Sequence, residues 1–161
     1  MAQEKLTYEQ FLQAVEPGKQ AYLQALHNHL LDNGCKATFE EKKTGLLGSY
    51  KHTKTKKSII NTLQKKQGLL IRIYGENIAN YPDFFNTLPN EMVQAIDSAG
   101  DCKRMVSNTC SPKCIGYDVT IKGNRYQKCR YAAFEFLVTD ESEQFIRQFV
   151  DNEVKERAAS K

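Results

Sequence analysis

Apolar residues change their period several times along the chain, and each change marks an element. At the start they recur at helical spacing. A short helix is predicted near Tyr8–Val15, closed by Glu16-Pro17-Gly18. A longer one runs from Lys19 to about Asn33, where Tyr22, Leu23, Leu26, Leu30 and Leu31 make one stripe. Gly34 sits where a helix C-terminal glycine belongs. From Cys35 the period becomes two: Cys35, Ala37 and Phe39 alternate with Lys36, Thr38 and Glu40. This predicts a strand, followed by strands at Leu46–Tyr50, Ser58–Leu63 and Leu69–Tyr74, separated by lysine- or glycine-bearing turns as in an antiparallel meander.

Helical signals return at Tyr81-Pro82, with Pro82 in a first turn, and at Glu91–Ala99, where Met92, Val93 and Ile96 share a face. Alternation then resumes. Tyr117–Ile121, a Gly123-Asn124 turn and a strand from Arg125 toward Val138 predict a hairpin. In that register Asp118 faces Cys129, and Tyr117, Val119, Ile121 and Tyr126 lie on the core side, opposite Asp118, Thr120, Gln127 and Cys129. A closing helix follows, capped by Thr139-Asp140 with Glu143 three residues after Asp140 as a capping box, and with Phe145, Ile146, Phe149, Val150 and Val154 as its buried stripe. The order predicts one α+β domain over residues 1–161, with a mostly antiparallel sheet (a meander plus the C-terminal hairpin) and helices packed on one face. A cysteine-rich loop and hairpin occupy about residues 100–131.

The order of elements from about Lys19 to Glu156 resembles the small bacterial α/β domains of the iron-chaperone-like (YdhG-type) superfamily. That resemblance implies a fold and carries over no functional residue.

Composition narrows the class. Hydrophobic residues are 40% and charged residues 26% of the 161, which suits a folded domain. No apolar run reaches the roughly 18 residues of a membrane span. The N-terminus lacks the basic and apolar stretches of a secretory signal, so the expected compartment is the cytoplasm, where thiols stay reduced. Hydrolase, P-loop, dinucleotide and H-E-x-x-H signatures are missing, and the expectation leans away from an enzyme.

Candidate chemistry is concentrated in cysteines. Four of the five, Cys102, Cys110, Cys114 and Cys129, fall within 28 residues. Zinc takes four tetrahedral thiolate or imidazole ligands, and Cys110-Ser111-Pro112-Lys113-Cys114 could supply two from one turn. The leading expectation is therefore a structural zinc bound by these four, in a binding or accessory domain. The same residues suit a thiol-redox protein or sensor. Seven basic residues between Asp101 and Tyr131, against the acids Asp101 and Asp118, would favour thiolates. Cys35 lies on the apolar parity of its strand and reads as core.

A third reading rests on charge. From Lys42 to Gln67 there are eight lysines and no acid, although the whole chain carries only +4. Lys51, Lys54, Lys56, Lys57, Lys65 and Lys66 on adjacent hairpin tips would pool into a patch for nucleic acid or another polyanion, with Tyr50 and Tyr74 nearby to stack bases. The histidines read as solvated, with His52 also available as a metal ligand.

Overall fold

The computed structural model describes residues 6–102 and 116–159. Helix α1 spans Tyr8–Ala14, one residue after Thr7, whose hydroxyl accepts from Gln10 N while the Gln10 side chain accepts from Thr7 N. Helix α2 (Pro17–Asp32) begins two residues before Lys19, because proline suits a first helical turn, where its missing N–H is no loss. The meander follows as β1 (Cys35–Lys42), β2 (Gly45–His52), β3 (Lys57–Lys65) and β4 (Gly68–Ile73). Two 3₁₀ turns, Ile78–Asn80 and Pro82–Thr87, lead into α3 (Asn90–Ser98). Strands β5 (Tyr117–Ile121), β6 (Asn124–Lys128) and β7 (Glu135–Leu137) precede α4 (Glu143–Ala159).

The fold is α+β, as the pattern predicts. Its main sheet has five antiparallel strands in the order β1-β2-β3-β4-β7. Here the structure corrects the sequence reading. The second hairpin strand does not run on to Val138. It ends at Lys128, the chain turns through residues 130–134, and Glu135–Leu137 leaves the hairpin to pair with Leu70–Arg72 of β4. The hairpin β5–β6 forms its own two-stranded sheet.

One core holds these parts together. Phe39, Tyr50, Ile60, Ile71, Ile73 and Phe136 project from the sheet toward Leu23, Leu26 and Leu30 of α2 and Ile146, Phe149 and Val150 of α4. The hairpin joins this core through Tyr117, Val119 and Ile121. Burying a side chain of this size contributes about 1.5–3 kcal/mol, so the periodic stripes account for the assembly. No described helix is long and apolar enough to cross a membrane.

Helix α4 also buries charge. Glu153 and Arg157 are 0% and 2% exposed. Arg157 Nε donates to Glu153 Oε1 at 3.2 Å, and its other nitrogens donate to the carbonyls of Lys57, Ser58 and Tyr74. Glu153 further accepts from Tyr81 Oη and from the backbone and side chain of Asn77. Each charge is thus surrounded by partners, which an ion pair removed from water requires. Of the expected Thr139-Asp140 cap, Thr139 serves, but the reciprocal partner is Ser142 and not Glu143. Thr139 Oγ1 accepts from Ser142 N and Ser142 Oγ accepts from Thr139 N, while Glu143 pairs with Lys19.

Candidate cysteine site

The hairpin register sets the geometry around the cysteines. Ile121 pairs with Asn124, Val119 with Tyr126 and Tyr117 with Lys128. The turn is therefore Lys122-Gly123, one position earlier than predicted, and both residues have positive φ, +50° and +86°. Type I′ turns require this at both central positions, and their twist matches that of the strands. The shift changes the partners: Asp118 faces Gln127 rather than Cys129. The faces survive, because moving a turn by one residue displaces the pairing by two and preserves side-chain alternation.

Beyond β6 the cysteines begin to meet. Asp101 bridges Lys128, Cys102 N donates to Gln127 O at 2.9 Å, and Cys129 N donates to Gly100 O at 2.7 Å. The segment at residues 100–102 thus adds antiparallel to the end of β6, and this register puts Cys102, Gln127 and Cys129 on one side. Cys102 is 2% exposed and Cys129 is half-buried; both are free thiols. Gly116 packs directly on Cys102. A Cβ there would lie 2.4 Å from Cys102 Sγ, 2.6 Å from Cys102 Cβ and 2.8 Å from Lys128 O. The close approach of backbone, not an unusual φ, calls for glycine at this position.

Cys110 and Cys114 lie outside the described residues, as do Lys103, Arg104 and Lys113. The structure therefore brings together two of the four expected ligands. Among the described residues, no three His, Cys, Asp or Glu side chains gather as a metal site would need.

The basic setting expected for the thiols is largely neutralised among the described residues. Lys122 Nζ donates to Leu88 O. Arg125 pairs with Asp118, Arg130 pairs with Glu76, and Lys128 pairs with Asp101. Lys128 Nζ also donates to the carbonyls of Asp97 and Ala99 at the C-terminus of α3, where a cation offsets the helix dipole. This explains a lysine on the core-facing side of β6.

Cys35 and His52 stand opposite each other on β1 and β2, and both are buried. Burial pushes the Cys35 thiol up to about 11, so it stays protonated. His52 is no surface residue: its Nδ1 lies 3.0 Å from Thr55 Oγ1, and burial, then Arg157 and Lys54, hold its pKa below the usual value. His27 is half-buried, stacked on Tyr8 with ring centroids 3.7 Å apart, and its Nδ1 is 2.7 Å from Tyr50 Oη.

The lysines do not pool. Successive turns of a meander fall at alternate ends of its strands. Lys51, Lys54, Lys56 and Lys57 surround the β2–β3 turn, whereas Lys65 and Lys66 are at the β3–β4 turn. The nine residues of β3 separate these ends by about 26 Å. Lys54 Nζ donates to Ala158 O at the end of α4. Tyr50 belongs to the core, and Tyr74 is 6% exposed with its hydroxyl accepting from Asn61.

Of two features that the pattern reading missed, one had a weak sequence signal and one had none. Glu153 and Arg157 extend the buried α4 stripe at i, i+4 spacing and could have been read as a buried pair. Gly116 had no signal, since its neighbour Cys102 is remote in sequence.

No protein-family model matches the chain, and no curated protein or solved structure matches it.

Proposed function

We propose that this chain is a non-catalytic α+β binding or accessory domain in which Cys102, Cys110, Cys114 and Cys129 take a structural zinc ion. The observation that carries the reading is the convergence at the end of β6. Cys102, Gly116 and Cys129 come together there, and residues 103–115, which contain the other two thiols, are bounded in sequence by Cys102 and Gly116. Four thiolates satisfy tetrahedral zinc without an open position, which fits a structural role better than a catalytic one. The element order also suggests kinship with the YdhG-type superfamily.

Elemental analysis of protein purified without chelator tests this. About one zinc per chain is expected, with four thiols becoming reactive after chelation and Cys35 only after denaturation. Less than about half an equivalent of any metal, with the thiols titrating freely in the native protein, overturns the proposal. The same arrangement favours one second reading, a thiol-redox switch, because Cys102 and Cys129 lie on adjacent antiparallel segments. A two-dalton mass loss under mild peroxide, reversed by thiol reductant, in metal-free protein would select it.

A further inference from the structure

The hairpin β5–β6 is fastened to α3 at both ends and stands off from it between them. At one end Lys122 N donates to Asn86 Oδ1 at 2.8 Å and Lys122 Nζ donates to Leu88 O at 3.2 Å, just before α3 begins. At the other end Lys128 Nζ donates to Asp97 O and Ala99 O, where α3 stops. Between the two lysines lies an open groove of about 790 Å³, lined by Asn90, Val93, Gln94 and Asp97 of α3 and by Asn124, Arg125 and Tyr126 of β6.

Its lining has a definite chemistry. Asn90, Gln94 and Asp97 are spaced i, i+4, i+7 and so share one helical stripe. Three carboxamides each offer donors and an acceptor, and Asp97 adds an acceptor-only group. Among the described residues, none of these four side-chain polar groups is engaged by another side chain or backbone group. The one cation among the described lining residues, Arg125, is already paired with Asp118 at 2.6 Å. Val93 and the half-buried Tyr126 ring supply apolar surface. The volume falls in the range of small-ligand sites, and the lining is more polar than most of them, which suits a hydroxyl-rich ligand.

We propose that the α3–β6 groove binds an uncharged saccharide. Vicinal hydroxyls both donate and accept, matching carboxamides and a carboxylate, while the C–H face of a pyranose ring suits a tyrosine ring. Among the described lining residues, an anionic ligand would meet Asp97 and no unpaired cation, and an apolar ligand would desolvate four polar groups without replacing their hydrogen bonds. The two lysine fastenings hold the walls in place before binding, which limits ordering on ligand entry.

The test is an amide chemical-shift titration of the full chain with glucose, galactose, mannose and N-acetylglucosamine, each to about 50 mM, the concentration scale that millimolar affinities require. The proposal expects saturable shifts for at least one sugar, confined to residues 90–97 and 122–128. In Gln94→Ala and Asp97→Ala, both exposed positions whose loss leaves the fold intact, affinity is expected to fall at least about tenfold. Tyr126→Ala should act likewise, whereas Leu31→Ala on α2 should not. Shifts absent for every sugar, scattered over the surface, or unchanged in the Gln94 and Asp97 variants overturn it.

Discussion

Gly116 is the position where a single methyl group has the most predictable effect. A Cβ would fall inside the contact distance of Cys102 Sγ, Cys102 Cβ and Lys128 O, and two of these three are not flexible ends. Gly116→Ala is expected to destabilise the protein by about 1–3 kcal/mol, as overpacking of a filled site does, and urea denaturation measures it. Gly123, which has φ +86° but nothing within 4 Å of a Cβ, should lose stability through backbone strain alone on conversion to alanine. Much of the residue-scale detail was hidden from the sequence. The alternation of Tyr117, Val119 and Ile121 revealed which side of β5 is core, because it depends only on period. The pairing of Asp118 did not follow from it. Glycine tolerates the turn at Lys122-Gly123 or Gly123-Asn124 equally well, and lysine at φ +50° carries no advance signal.

At the scale of elements, α4 depends on its buried ion pair as much as on its apolar stripe. Arg157→Ala would leave the buried Glu153 without its cation and take a donor from three main-chain carbonyls, those of Lys57, Ser58 and Tyr74. A loss of about 3–5 kcal/mol is expected, the range for breaking a buried pair from one side. Arg147→Ala, at an exposed i,i+4 pair with Asp151 on the same helix, should change stability by about 0.5 kcal/mol or less. Chemical denaturation of the two variants compares them directly. Helices and meander strands were legible because each is a local pattern: Leu23, Leu26 and Leu30 declare α2, and Leu69 to Ile73 declare β4. Strand β7 was not. Glu135-Phe136-Leu137 is too short to show a period, and its partner Leu70–Arg72 is more than sixty positions away.

For the whole molecule, the histidines make stability depend on pH. Burial lowers the pKa of both His27 and His52, with Lys54 and Arg157 adding to the effect at His52. The folded state thus holds both rings neutral, while the unfolded chain takes up protons once pH falls below about 6.5. Their contribution is fully present above that value and is lost as pH falls through the lowered folded-state pKa values. Melting temperature should be level from neutral to mildly alkaline pH and decline on acidification below about 6.5. In the His27→Gln/His52→Gln variant that decline should be shallower. The lysine clusters belong to this scale as well. Their sequence proximity suggested one patch, and only the alternation of turns along the meander separates Lys57 from Lys65.

Strand β7 carries a further consequence, for the order in which the chain folds. Strands β1 to β4 are joined by short turns and can zip up sequentially, each contact closing a small loop. The fifth strand joins β4 only after the chain from Ile73 to Glu135 has been drawn into a closed loop, and such closure is an entropic burden borne before the new contacts repay it. The meander is therefore suited to act as the early-formed template, with β7 and α4 arriving late. Stabilising the hairpin β5–β6 or its junction with residues 100–102 shortens the effective loop, so these contacts are positioned to govern folding speed more than final stability.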